Sequence, residues 1–154
     1  MKEILLFSYG SNSTKQIKDR LSITEDLISY PSYIANYIRV FAGFSKKWKG
    51  GVASLYPSIN KKTYGIIVKL TEDQLHSLSK FEKGYHLEIK KIMLNKTEID
   101  CYVYIKDNNN FIKPPSKLYI DAINRTLDER QNKINPNRKI LIKYVKNNNI
   151  YIFN

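Results

Sequence analysis

The chain has 154 residues, of which 42% are hydrophobic and 12% aromatic, enough for one globular domain with a real core and too many for a disordered chain. No uncharged apolar run is long enough to cross a bilayer, and the start lacks the features of a signal peptide. We therefore expect a single cytoplasmic domain spanning residues 1–154, with no membrane partner. The formal net charge of +12 raises nucleic acid as a partner. The lysines are scattered, however, and a general composition bias accounts for the charge, so we do not expect nucleic-acid binding.

Cysteine and histidine are scarce in this sequence. Cys101 is the only cysteine, which excludes an intrachain disulfide and a zinc site built from several thiolates. It lies in the strand-like run 99–105, which predicts a buried structural thiol. His76 and His86 are the only histidines, and no cluster has the spacing of metal ligands. We expect neither a metal nor another cofactor.

Strands dominate the first half of the chain. The run from Lys2 to Ser8 predicts a buried strand, and Ser13 or Thr14 can cap a short helix that ends at Leu21. After the ambiguous stretch 24–30, three runs rich in β-branched and aromatic residues predict strands at 33–44, 52–56 and 64–70. Their expected limits are Pro31, a Trp48-Lys49-Gly50-Gly51 turn, Pro57 and an Asn60-Lys61-Lys62 turn.

Helices and further strands are predicted in the second half. Thr71-Glu72-Asp73-Gln74 has the pattern of a capping box, so a helix follows with Leu75, Leu78 and Phe81 on one face and Gly84 at its end. Strands follow at 86–94 and 98–105, and Pro114-Pro115-Ser116 introduces a second helix. Its apolar stripe consists of Leu118, Tyr119, Ala122, Ile123 and Leu127. The segment 138–144 can be a helix or a strand, and 150–153 indicates a terminal strand. This order predicts an α+β fold with a small mixed or antiparallel β-barrel flanked by helices.

The hexapeptide Phe7-Ser8-Tyr9-Gly10-Ser11-Asn12 follows the apolar run Ile4-Leu5-Leu6 directly. A strand that ends in such a turn can point several backbone N–H groups at one place, because glycine and asparagine tolerate positive φ angles. A concave ring of N–H donors binds an anion or an oxyanion. The hexapeptide alone leaves an ordinary tight turn open as the alternative.

Glu82 is the charged residue that the pattern singles out. It follows Leu78 by four residues and Leu75 by seven, so a regular helix would place its carboxylate on the buried face. Desolvation favours the protonated form of a carboxyl, and such a group can accept and return a proton. The alternative is that the last helical turn frays and Glu82 points to solvent.

Three tyrosines, Tyr9, Tyr85 and Tyr119, lie nearest to the candidate loops. From the pattern alone, Tyr119 on its apolar stripe indicates packing, as does Trp48 beside a turn. The pair Gly50-Gly51 requires only a close backbone approach or a bulge. None of these residues points to a particular chemistry by itself.

Taken together, five short motifs resemble the γ-glutamylcyclotransferase family. They are Tyr9-Gly10-Ser11-Asn12 after a first strand, Trp48-x-Gly50-Gly51-x-Ala53, the Tyr64-Gly65-Ile66-Ile67 strand, Leu78-x-x-x-Glu82, and Pro114-Pro115-Ser116-x-x-Tyr119. They occur in the order of the family's animal members, at similar spacing, and cover residues 3–127. No single motif is specific, but their joint order is.

The resemblance implies a cytoplasmic enzyme of the acyltransferase or lyase type that acts on a small γ-glutamyl compound such as those of glutathione metabolism. In that reaction, the α-amine of the substrate attacks its own γ-carbonyl, which releases an amino acid or amine and leaves 5-oxoproline. The reaction requires orientation, donors for an oxyanion and one base. Either a monomer or a homodimer is compatible with the sequence.

The resemblance also implies roles for individual residues. Glu82 matches the catalytic acid/base of the family, and the backbone of Phe7, Ser8, Tyr9, Gly10, Ser11 and Asn12 matches the loop that cradles the glutamyl group. Tyr119 corresponds to a tyrosine that contacts substrate, and Tyr85 to the aromatic residue that follows the catalytic glutamate. These nine residues form the predicted substrate site.

Three positions depart from the family pattern. Ser13 replaces a common leucine, Ser79 replaces a common aspartate, and Lys83 intervenes between Glu82 and Gly84. These changes concern the rim of the pocket and its preference for leaving groups. They leave open an alternative function, a non-catalytic binding or interaction protein that retains the same pocket.

Overall fold

The computed structural model describes residues 2–107, 113–128 and 152–153. Its elements are β1 (Glu3–Ser8), α1 (Thr14–Leu21), β2 (Ser29–Ser45), β3 (Gly50–Thr71), α2 (Glu72–Ser79), β4 (Tyr85–Leu94), β5 (Thr97–Lys106), α3 (Lys117–Asp128) and β6 (Ile152–Phe153). The short β6 is the described part of the predicted terminal strand. The predictions for 138–144, and for the start of the terminal strand, lie outside the described residues.

Five strands close into a mixed barrel. β1 pairs antiparallel with β3 and parallel with β5, and β5 pairs antiparallel with β4. β4 in turn contacts β2 through the pair Tyr33 and Met93, and the long antiparallel ladder between β2 and β3 closes the circle. β6 extends the sheet along β2, opposite Arg39 and Val40. The predicted α+β fold with a small barrel flanked by helices is thereby confirmed.

The strands of the first half are longer than predicted. Pro31 lies inside β2, opposite Ile66, and Pro57 lies inside β3, opposite Tyr37, so neither proline ends a strand. In the ladder between β2 and β3, Ala35 pairs with Lys62 and Tyr37 pairs with Pro57, so the β3 residues between Pro57 and Lys62 form a bulge. The predicted turn at Asn60 is this bulge. Asn60 has a left-handed φ of 66°, which kinks the strand locally, and the chain continues in the same direction after it. The predicted strands 52–56 and 64–70 are therefore one curved strand.

The alternation of side chains along β1 divides the core in two. Leu6 points to one face and packs with Ile17 of α1 and Leu78 of α2, whereas Phe7 points to the other and packs inside the barrel. The cluster on the helix side contains Ile4, Leu6, Ile17, Ile66, Val68, Leu70, Leu75, Leu78 and Tyr104. The second cluster is covered by α3. β1 thus lies between two apolar layers, and the loop that follows it is held on both sides.

The helix caps form as predicted, but α2 is shorter than predicted. Ser13 caps α1 by accepting a hydrogen bond from the N–H of Gln16 at 3.1 Å, and Thr71 and Gln74 form the capping box of α2. The predicted end of α2 at Gly84 is wrong, because the helix ends at Ser79 and gives way to tight i to i+3 hydrogen bonds. As a result Phe81 is exposed instead of lying on the apolar face. Leu118, predicted on the apolar stripe of α3, is exposed as well.

Candidate active site

The loop between β1 and α1 is braced by short hydrogen bonds. The Ser8 hydroxyl donates to the carbonyl oxygen of Asn12 at 2.7 Å, and the N–H of Ser13 donates to the carbonyl oxygen of Ser11 at 2.8 Å. β3 approaches this loop at Gly65, where an added Cβ would lie 2.2 Å from the carbonyl oxygen of Ser8. Only glycine permits such an approach of two backbones. The loop is therefore fixed in position before any ligand binds.

A cleft of about 370 Å³, measured out to its open mouth, lies against this loop. All nine residues of the predicted substrate site line it: Phe7, Ser8, Tyr9, Gly10, Ser11, Asn12, Glu82, Tyr85 and Tyr119. Leu6, Ala53 and Tyr104 complete the lining. The structure thus brings these residues together in space, while the roles given to them above remain predictions.

The Glu82 side chain points into the cleft and is only 13% exposed. Its Oε1 accepts a hydrogen bond from Nδ2 of Asn12 at 2.5 Å and another from Nη1 of Arg20 at 3.0 Å. The residue lies in the turn after α2, not in the helix, and its carbonyl oxygen accepts from the N–H of Tyr85 at 3.2 Å. Both hydrogen bonds that its carboxylate makes to described residues end on Oε1, so Oε2 is the oxygen available to a ligand.

Arg20, in the last turn of α1, is a site residue that the sequence analysis missed. Its Nη1 donates to Oδ1 of Asn12 at 2.9 Å as well as to Glu82, and its side chain is only 11% exposed. The guanidinium also lies over the ring of Phe81, 5.6 Å from the centroid. Arg20 follows the buried Ile17 by three residues, so helical spacing places it beside the apolar face. That spacing is the signal by which it could have been found.

Two tyrosine hydroxyls occupy the edge of β3 at Ala53. Tyr119 accepts a hydrogen bond from the N–H of Ala53 at 2.9 Å, and Tyr85 donates to its carbonyl oxygen at 2.6 Å. Burial raises the pKa of both phenols above the ordinary value, so both are neutral near pH 7. The two tyrosines satisfy an open strand edge with their hydroxyls and present their rings to the cleft.

Arg39 is a second site residue that the sequence analysis missed. It is buried in β2, where Nε donates to the carbonyl oxygen of Tyr9 at 2.9 Å and Nη2 to that of Tyr64 at 2.8 Å. The first bond fixes the peptide group that leads into Gly10. No local sequence pattern predicts this contact, because Tyr9 lies 30 residues away from Arg39 in the sequence.

The glycine pair makes the close backbone approach that the sequence indicated. A Cβ added to Gly51 would lie 2.1 Å from the carbonyl oxygen of Lys113, and the N–H of Gly51 donates to the carbonyl oxygen of Pro114 at 3.0 Å. This contact anchors the segment that leads into α3 and therefore holds Tyr119. Trp48 packs on the Tyr119 ring at 5.1 Å between centroids.

Cys101 is buried, as predicted, and burial raises the pKa of its thiol to about 12. Within residues 2–107, 113–128 and 152–153, no group of three or more metal-ligating side chains comes together. Over the same ranges, none of the helices has the length and apolar character needed to span a membrane.

The barrel and its cleft define the structural class of this protein. A solved structure described as a gamma-glutamyl cyclotransferase superposes with a TM-score of 0.75 at 24% identity, over 86% of this chain and 83% of the other. The chain belongs to the gamma-glutamyl cyclotransferase, AIG2-like, family, whose model matches residues 6–121. The resemblance found from the five motifs is thereby confirmed.

Two gamma-glutamylcyclotransferases are similar in sequence. The protein from Bos taurus is 24% identical over 130 residues, which is 79% of this chain and 69% of the relative. The protein from Mus musculus is 26% identical over 128 residues, which is 77% of this chain and 67% of the relative. Sequence identity of 24–26% supports a shared type of activity but does not identify the substrate.

Proposed function

We propose that this protein is a γ-glutamylcyclotransferase, which converts γ-glutamyl amino acids or γ-glutamyl amines to 5-oxoproline and the free amino acid or amine. The observation that carries the proposal is the Glu82 carboxylate, held at the cleft by Asn12 and Arg20 and facing the braced loop. This cyclisation requires one group that carries a proton, here Glu82, and backbone N–H donors that stabilise the oxyanion, here those of the loop.

The reaction balances with Glu82 as the only proton carrier. The α-nitrogen of the substrate attacks its γ-carbonyl carbon, and Glu82 takes the proton that this nitrogen releases. The new carbon–nitrogen bond closes the five-membered ring and puts negative charge on the carbonyl oxygen, which backbone N–H groups of the loop can stabilise. Glu82 then passes the proton to the departing nitrogen as the old carbon–nitrogen bond breaks. No water is consumed, and the carboxylate is regenerated.

The partners of Glu82 prepare it for this role. Because Asn12 and Arg20 both donate to Oε1, the carboxylate is fixed in orientation and Oε2 carries the proton. Holding amine and carbonyl in contact inside a narrow cleft can supply several further kcal/mol, on the order of 7 or more for a well-oriented pair. Tyr85 and Tyr119 shape the walls of the cleft, since their hydroxyls are engaged by Ala53.

The departures from the family pattern do not obstruct this chemistry. Ser13 is buried and serves as the cap of α1, which is a structural use for a serine at that position. Lys83 is exposed and does not line the cleft. Both changes leave Glu82 in reach of the loop.

A non-catalytic binding protein with the same pocket is the second candidate. The ion pair between Arg20 and Glu82 favours it, because a carboxylate engaged by a guanidinium at 3.0 Å can serve to hold the pocket together without taking part in a reaction. The experiment that separates the two candidates is release of 5-oxoproline from γ-glutamyl-alanine, γ-glutamyl-lysine and glutathione. We expect 5-oxoproline and free amine in equal amounts from at least one of them. A folded protein that binds these compounds without releasing 5-oxoproline would be the binding protein.

A further inference from the structure

A second cavity, of about 830 Å³ out to its open mouth, adjoins the cleft. The two cavities share Ser11, and the wall between them contains Arg20, which reaches Glu82 on the other side. For a γ-glutamyl group bound against the loop with its scissile bond near Glu82, the second cavity is an adjoining space that can accept the leaving group. The second cavity is therefore the candidate binding site for the leaving group.

The second cavity is strongly basic. Its lining contains four cations, Lys15, Arg20, Lys47 and Arg125, and a single carboxylate, that of Asp19. We refer to it as the basic pocket. A cavity lined by charges of one sign attracts ligands of the opposite sign, which favours a negatively charged leaving group over a neutral or positive one.

Two of the four cations are already paired. Lys15 forms an ion pair with Asp19 at 3.1 Å, and Arg20 pairs with Glu82 at 3.0 Å. Within the part of the chain that the structure describes, no carboxylate lies within ion-pair distance of Lys47 or Arg125. Among the described residues, the basic pocket thus offers two positive charges that have no carboxylate within ion-pair distance.

Lys47 lies beside the aromatic residues that adjoin the cleft. Its ammonium lies over the ring of Trp48, 4.9 Å from the centroid, and Trp48 packs on Tyr119 of the cleft. Partial burial and the neighbouring charge of Arg20 lower the pKa of Lys47, while the charge of Glu82 acts in the opposite direction. A negative charge delivered to this place would relieve the repulsion between the two cations.

We propose that the basic pocket receives the leaving group and selects γ-glutamyl compounds in which that group is an acidic amino acid with two carboxylates. This inference rests on the proposed cyclotransferase function. Lys47 and Arg125, which have no ion-pair partner among the described residues, bind the two carboxylates, one each, and Arg20 remains with Glu82. A γ-glutamyl amine, whose leaving group has no carboxylate, gains nothing from the pocket.

The test compares γ-glutamyl-glutamate with γ-glutamyl-glutamine, which have nearly the same shape and differ by one negative charge. The expected preference for the glutamate compound is about fivefold in kcat/KM at low ionic strength, the size expected of a partly exposed ion pair. The preference should shrink in 0.5 M NaCl, because salt screens exposed charges, with a Debye length of about 10 Å at 0.1 M and less above that.

Variants locate the preference on the two cations. The double variant Lys47→Ala, Arg125→Ala should bring the ratio of the two kcat/KM values to about one, and the charge reversal Lys47→Glu, Arg125→Glu should invert it. Lys46→Ala is the matched control, because Lys46 is an exposed neighbour that does not line the pocket, and it should keep the wild-type ratio.

Equal kcat/KM values of the wild type for the two compounds would overturn the inference, as would a preference that survives in the double variant. In both cases 5-oxoproline is still released, so the proposed function would survive. Absence of 5-oxoproline from both of these compounds and from the neutral γ-glutamyl substrates would overturn the two proposals together.

Discussion

Replacement of Tyr119 by phenylalanine tests whether its hydroxyl supports the strand edge or contacts substrate. The ring would remain packed against Phe41 and Trp48, so the change opens no large cavity. It removes the acceptor for the buried N–H of Ala53, which Tyr119 bonds at 2.9 Å. A buried donor left without a partner costs roughly 1–3 kcal/mol of folding free energy. For a chain of this size, the melting temperature falls by about 2–4 °C for each kcal/mol.

Thermal unfolding followed by circular dichroism measures this loss. Tyr56→Phe is the matched control, because Tyr56 is 47% exposed and water can replace any bond that its hydroxyl makes. We expect the Tyr119 variant to melt about 2–12 °C below the control. A variant of Tyr119 that is as stable as the control, but has a raised KM, would show that the hydroxyl serves the substrate instead of β3.

Three further predictions concern two glycines, Arg20 and His86. Gly51→Ala should lower the free energy of unfolding by several kcal/mol, roughly 3 or more, because the added Cβ would lie 2.1 Å from a backbone oxygen. In Gly10→Ala the added Cβ would lie 3.4 Å from the Tyr119 hydroxyl, so this variant should keep its stability and lose activity because the methyl group obstructs the cleft. Denaturant titration measures the first effect, and 5-oxoproline release measures the second. Arg20→Gln should reduce kcat/KM by up to about 100-fold by releasing Glu82, and Arg20→Lys should restore little of it because lysine lacks the planar guanidinium that lies over the Phe81 ring and positions Nη1; kinetics that lysine restores fully would contradict this. Hydrogen bonds to Asp107 and Glu88 raise the pKa of His86, so its contribution to stability should be complete below the unfolded pKa of about 6.5 and disappear as the pH rises through the folded pKa. A difference in melting temperature between wild type and His86→Ala that grows with pH would contradict that sign.

Local features of the fold were predictable from the sequence because their causes are local. The caps at Ser13 and Thr71 depend on residues three positions away, and both formed as expected. The strand pattern was also sufficient to indicate a barrel with flanking helices. The predicted strand end at Pro57 and the predicted turn at Asn60 were wrong, because each residue determines only its own φ angle. Whether the chain reverses or bulges there depends on how β2 pairs with it, and that is not a local property.

The prediction for Glu82 combined a correct location with an incorrect reason. The spacing from Leu75 and Leu78 suggested a buried helical face, but α2 ends at Ser79 and Glu82 reaches the cleft from a turn. Its partner Asn12 lies 70 residues away, in the loop that the sequence singled out independently. The resemblance of five ordered motifs joined the two regions, and periodicity alone could not have done so.

Arg39 could not be recognised from the sequence, and the only local signal for Arg20 was its helical spacing from the buried Ile17. Both belong to the 26 lysine and arginine residues of the chain, so positive charge alone does not distinguish them. Each acts through long-range contacts, Arg20 on Glu82 and Arg39 on the carbonyl oxygen of Tyr9. Their importance follows from burial, which only the three-dimensional structure reveals.

Replacement of Glu82 by glutamine tests whether this carboxylate carries the proton of the reaction. Glutamine keeps the shape and can still accept from Asn12 and Arg20, but it cannot take a proton. Glu25→Gln, at an exposed position, is the control. We expect the Glu82 variant to fold and to release 5-oxoproline about 10²–10⁴-fold more slowly than the control, the range attributed to a positioned acid/base. Release at the rate of the control by a folded Glu82→Gln protein would contradict the account.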